Sequence, residues 1–161
     1  MPPEGPPPPP AISGAERHWR ALENLYRAAP VNRTFASSLE ITEAGHSRIR
    51  FTVDPSVFHA AGAAHGTIYF KMLDDAAFYA ANSLVSDRFL LTTAFNLNLT
   101  APIREGELEA HGKWISGKRR VFIAESRLVD ADGEEVARGT GTFMRSRIDL
   151  SGLEGYRTQG E

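Results

Sequence analysis

Two adjacent carboxylates, Asp74 and Asp75, interrupt the run from Thr67 to Leu84, which is otherwise mostly apolar. A carboxylate in apolar surroundings is costly unless it is paired or put to use. Successive side chains on a helix point about 100° apart, so the two cannot share one environment. Lys71 lies one turn away and satisfies at most one of them well. The run therefore reads as carrying one structural and one functional carboxylate, and the spacing leaves open which is which. His65 and Gly66 stand just before it. The first N–H groups of a helix lack partners and sit at the positive end of its dipole. Glycine lets an oxygen approach the backbone closely, so this pair could form an oxyanion site. Equally, His65 could cap the helix while Gly66 only permits the turn. From Gly66 to Asp74 is eight residues, about 12 Å along a helix. No single atom touches both within one chain, so a base and an oxyanion hole could converge only where two copies meet.

Other chemistry is thinner. His18, His46, His59 and His111 show no metal-ligand spacing, and His59 and His65 stand six apart across a loop, so no metal is expected. There is no G-x-S-x-G, no P-loop and no dinucleotide fingerprint. Lys113, Lys118, Arg119 and Arg120 cluster about Gly117, either as a solvated hairpin tip or as a clamp for phosphates.

The 161 residues, 42% hydrophobic and 24% charged, fit one ordinary globular domain. A balance of 18 Lys and Arg against 20 Asp and Glu excludes a generally basic nucleic-acid binder. With no cysteine there is no disulfide framework, thiolate metal site or cysteine nucleophile. Neither a leader pattern nor a membrane-length apolar run is visible, so a cytoplasmic protein without a membrane partner is expected.

Residues 1–12, with seven prolines in the first ten, read as a disordered tail. Residues 13–150 read as the domain and 151–161 as a C-terminal tail. Ser13 and Glu16 fit a capping box, opening an amphipathic helix that Pro30 ends. Strands over 35–44 and 46–53 follow, joined at Gly45. After the irregular stretch 56–66 comes one long helix over 67–84, apolar nearly all round and so in need of cover on every side. The period then switches to two. Leu91, Thr93, Phe95, Leu97 and Leu99 alternate against Thr92, Ala94, Asn96, Asn98 and Thr100. Three more strands follow, over 107–116, 119–130 and 135–147. Short connections make neighbours antiparallel. The economical architecture is α+β, one curved antiparallel sheet wrapped around one buried helix. Ala137, Gly139 and Gly141 are expected to let that helix approach the last strand. The side left uncovered suits two-fold self-association.

The stretch HAAGAAHGTIYFKMLDDAAFYAANS, His59 to Ser83, resembles the central-helix motif of hotdog-fold thioesterases of the phenylacetate-pathway type. FNLNLTAPIREGELEAHGKWISGKRRVFIAESRLVDADGEEVARGTGTFM also looks like that family. The resemblance spans about residues 35–147 and implies a hotdog fold: a sheet around a central helix, with sites shared between two subunits. It implies hydrolysis of acyl-CoA thioesters, coenzyme A being part of the substrate and no other cofactor being needed. It places Asp74 as base or nucleophile and the Gly66 N–H as oxyanion donor. His65 would position the carbonyl, and Thr92 would supply a hydroxyl near the attacking water. His59 replaces the family's usual Asn, and imidazole does similar work in one protonation state only. Thr67 replaces the second Gly of the family's His-Gly-Gly.

These readings together predict an acyl-CoA thioesterase acting as a homodimer or dimer of dimers. Lys118, Arg119 and Arg120 would bind substrate phosphates. A non-catalytic acyl-CoA or acyl-carrier binding module is the alternative. A hotdog dehydratase is disfavoured because no D-x-N-P-x-H-like loop is present.

Overall fold

The computed structural model describes residues 10–157; most of the proline-rich tail and residues 158–161 lie outside the described residues. Helix α1 spans Gly14–Ala28, and its start is capped as expected, Ser13 Oγ accepting from the Glu16 N–H at 3.1 Å. Pro30 does end α1, but it also opens a second short helix, α2, Pro30–Phe35. Proline's fixed φ suits the first helical position, where no N–H is needed. Ala36 then turns left-handed at φ 47°. The first strand therefore begins later than the apolar pattern suggested, as β1, Ser38–Glu43.

The remaining strands are β2 (His46–Val53), β3 (Arg88–Leu99), β4 (Gly106–Ser116), β5 (Val121–Val129) and β6 (Glu135–Asp149). They form one antiparallel sheet in the order β1-β2-β4-β5-β6-β3. Between β2 and β3 runs the central helix α3, Gly66–Asn82, which touches all six strands. The curved sheet wrapped around one helix is therefore present. No helix among the described residues is long and apolar enough to cross a membrane.

Alternation along each strand gives an inner face toward α3. Ile49, Phe51, Leu108, Ala110, Phe122, Ala124, Leu128 and Phe143 pack there, all buried, against Ile68, Met72, Leu73, Ala76 and Ala77 of the helix. Two inner-face hydroxyls hold the helix backbone. Ser47 Oγ donates to the Ala76 carbonyl at 2.6 Å, and Ser126 Oγ donates to the Leu73 carbonyl at 2.7 Å. Between them sits Gly112, where an added Cβ would lie 2.0 Å from the Ala76 carbonyl oxygen. The closest helix–sheet approach is thus at β4. Gly139 and Gly141 of β6 serve a different purpose, making room for the rings of Phe95 and Phe143.

The alternation expected along β3 holds only in part. A bulge at Thr93 shifts the register between Thr92 and Ala94, and an extra residue in one strand reverses which side chains face in. Hence Leu90 and Thr92 face inward before the bulge, while Phe95, Leu97 and Leu99 do so after it. Leu91, expected on the apolar face, is 45% exposed. The route from α3 into β3 is fixed by the buried side chain of Asn82. Its Nδ2 donates to the carbonyls of Val85 and Arg88, both at 3.0 Å, and its Oδ1 accepts from the Leu90 N–H at 2.9 Å.

Replacing Gly112 by alanine would drive a methyl group into helix backbone that cannot rotate away. Gly112→Ala should cost at least about 2 kcal/mol of stability, read as a lower denaturation midpoint. Gly62→Ala should cost less, through backbone strain alone, because its Cβ would meet nothing.

Candidate active site

Asp74 and Asp75 part company as their angular separation requires. Asp75 turns back toward α1. It accepts from Lys71 Nζ at 2.5 Å and from the Tyr26 hydroxyl at 3.0 Å, and Lys71 also reaches Asn32 Oδ1 at 2.6 Å. Burial raises its carboxyl, with the Lys71 charge and then these hydrogen bonds pulling the other way. Asp75 is thus the structural carboxylate, tying α1 and α2 to the central helix.

Asp74 lies on the outward stripe of α3, with Phe70 one turn and Thr67 two turns before it. Its Oδ1 accepts from the Thr92 hydroxyl at 2.9 Å. Only the bulge that turns Thr92 inward allows this contact. Burial pushes the Asp74 carboxyl up to about 6; the Asp75 charge adds to the rise, and the Thr92 hydrogen bond and Lys71 oppose it. A carboxylate held there can both lose and regain a proton near neutral pH.

The amino end of α3 carries the second group of candidate residues. His65 Nδ1 accepts from the Thr67 N–H at 3.1 Å and lies 3.0 Å from Thr67 Oγ1. The His65 carbonyl accepts from the Ile68 N–H at 2.9 Å. The Gly66 N–H, by contrast, has no acceptor among the described residues. Gly66 lines a cavity of about 330 Å³ together with His59, Ala64, Tyr69, Leu99 and Pro102. His59 Nδ1 accepts from the Ala61 N–H at 3.0 Å, which closes a tight turn. With Nδ1 accepting in both His59 and His65, each neutral ring carries its proton on Nε2.

Within one chain Asp74 does not line that cavity. The structure therefore brings together His59, His65 and Gly66 at one end, Asp74 and Thr92 at the other. Lys118, Arg119 and Arg120 are exposed at the β4–β5 turn. Register places that turn at the Thr92 end of the sheet, since Leu91 pairs Met144, which pairs Val121. Two contributors escaped sequence reasoning. Tyr69 donates its hydroxyl to the Ala101 carbonyl at 2.7 Å and walls the cavity. Phe70 and Phe95 stack edge-on at 5.6 Å between the two groups. Both were hidden among residues counted as core. Among the described residues no group of His, Asp and Glu could hold a metal.

The sheet, its strand order and the enclosed helix define the hotdog fold. The PaaI protein of the Escherichia coli phenylacetic acid degradation operon superposes with a TM-score of 0.77 at 17% identity, over 85% of this chain and 99% of that one. A thioesterase family protein of Silicibacter pomeroyi does so with a TM-score of 0.72 at 26% identity, over 82% and 98%. A putative esterase of Saccharolobus solfataricus is 26% identical over 123 residues, which is 76% of this chain and 82% of that protein. Residues 61–137 match the Thioesterase superfamily model. The fold is therefore that of the hotdog proteins, and the match over residues 61–137 is a likeness to the Thioesterase superfamily that supports thioester hydrolysis as a class of reaction.

Removing the Thr92 hydroxyl deletes a bond that favours the ionised carboxylate. Thr92→Val should therefore move the Asp74 titration, followed by carboxyl NMR, upward from about 6. The folded value lies above the ordinary carboxylate range near 3.9. Ionised Asp74 thus weakens the fold above about pH 6, and that effect disappears as pH falls through both values. Asp74→Asn should accordingly raise Tm at pH 8 and change it little at pH 4.

Proposed function

We propose that this protein is an acyl-CoA thioesterase whose site assembles between two copies, with Gly66 of one facing Asp74 of the other. The observation that carries this reading is the free Gly66 amide, half-buried at the positive end of a long helix while Thr67 and Ile68 beside it have acceptors. Strand β3 supports the association. It is twelve residues long, stands at one edge of the sheet and exposes unpaired backbone groups. Phe70 beside it and Leu99 at its end are 41% and 48% exposed. Antiparallel pairing of β3 with its own copy about a two-fold axis would cover both. It would also set the Leu99 end of one chain, next to Gly66, near the Thr92 end of the other. The basic β4–β5 turn of that second chain would arrive with Asp74, suited to coenzyme A phosphates.

In such a site the thioester oxygen accepts from the Gly66 N–H. Negative charge gathers on that oxygen as attack proceeds, and one such donor contributes about 3–4 kcal/mol. Asp74 takes a proton from the attacking water, or attacks the acyl carbon itself to give a mixed anhydride that water then hydrolyses. The C–S bond breaks and the thiolate leaves without a strong acid. Thr92 fixes the carboxylate, while the Nε2–H groups of His65 and His59 position the carbonyl and water.

A panel of acyl-CoAs with a thiol-detecting reagent tests the reading. Asp74→Asn should cut thiol release about 10²–10⁴-fold with the dimer intact by sedimentation. Unchanged turnover would remove the mechanism, and tight binding without release would mark a non-catalytic binding module. For the wild type, kcat/KM should fall about tenfold per pH unit below about pH 6, and Thr92→Val should shift that limb to higher pH.

A further inference from the structure

The outer face of the sheet, away from α3, carries a larger cavity of about 510 Å³. Register lays a row of basic side chains straight across it. Arg138 pairs Arg127, Arg127 pairs His111, and His111 pairs Arg48. Like charges directly opposite on antiparallel strands repel, as Arg127 and Arg138 do, while burial lowers the His111 pKa and favours its neutral ring; each of the four still calls for an accepting partner. Three have one: Glu135 grips Arg138 at 2.7 Å and 3.0 Å, Glu40 takes Arg48 at 2.5 Å, and Glu109 lies 2.9 Å from His111. Arg127, in the middle of the row, forms no ion pair or side-chain hydrogen bond among the described residues. Lys113 in the adjoining row is likewise without an ion pair, although Glu125 stands opposite it in register. Both line the cavity, and Asn96 and Asn98 of β3 join them from the far side. One strand beyond, Arg48 Nε is buried without an acceptor among the described residues. The cavity lining sets Lys113, Arg127 and Arg138 against one carboxylate, Glu125.

We propose that this groove binds a phosphate-bearing anion of nucleotide size, with Arg127 as its main anchor. The Arg127 guanidinium offers two parallel donors to phosphate oxygens. Lys113 and Arg138 add charge, and the Asn96 and Asn98 amides add donors beyond the phosphate. A volume of about 510 Å³ lies within the range of small-molecule sites. The sheet separates this groove from Asp74 and Gly66, so it is a second site rather than part of the first. It does not rest on the thioesterase reading.

Inorganic pyrophosphate, ADP and coenzyme A, titrated calorimetrically into the full chain, test this. Pyrophosphate and ADP should bind saturably below about 10 mM, and Arg127→Gln should weaken both about tenfold or more. Without anion, Arg127→Gln should raise Tm, because it relieves the cross-strand repulsion; with pyrophosphate, Tm should rise in the wild type only. Unchanged acyl-CoA turnover in Arg127→Gln would identify a free phosphorylated ligand. A raised KM for acyl-CoA in that variant would make the groove part of the thioester site and overturn its assignment as a second site. The proposal is overturned if pyrophosphate fails to bind, if Arg127→Gln binds it like the wild type, or if the loss appears instead in a variant carrying Lys118→Gln, Arg119→Gln and Arg120→Gln.

Discussion

The seating of α3 against the sheet governs the rest of the molecule. Ser47 and Ser126 hold two of its carbonyls, and Gly112 lets the backbones meet with no side chain between. These contacts set both the height of the helix and its rotation. Once rotation is fixed, Ala76, Ala77 and Leu73 must face the sheet, and Thr67, Phe70 and Asp74 must face away from it. The carboxylate and the free amide are therefore held by rigid elements, as a preorganised site demands.

The same rotation separates two chemically identical neighbours. Asp75 is sent toward Lys71 and Tyr26 and becomes part of the scaffold. Asp74 is sent to the side of α3 away from the sheet, with the Thr92 hydroxyl for company, and burial shifts its proton affinity toward neutrality. Environment, not residue type, assigns the roles. His18 makes a similar point at the other end of α3. Its Nε2 donates to the Asn82 carbonyl, its Nδ1 bonds the Tyr156 hydroxyl, and burial lowers its pKa, so it remains a neutral scaffold group.

Much of this was legible in the sequence. Periodicity located α3 and all six strands to within a few residues, because each is long or bounded by Gly or Pro. The apolar circumference of α3 announced that a sheet must enclose it. The oddity of Asp74 and Asp75 was visible too, but only the Lys71 and Tyr26 contacts decide between them. Helix α2 was missed because Pro30 both ends one helix and begins another, and no local pattern distinguishes the two roles. The β3 bulge was missed for a different reason. One inserted residue has no compositional mark, yet it decides that Thr92 reaches Asp74. Gly112 looked like any strand glycine, whereas Gly139 and Gly141 looked significant; which glycine meets the helix depends on strand order, a long-range property.

A rod clamped along its back cannot slide or roll. The flank away from the clamp, where Phe70, Phe95 and Leu99 lie, can therefore change shape without touching it. Side-chain size is free to drift there while the architecture stays put.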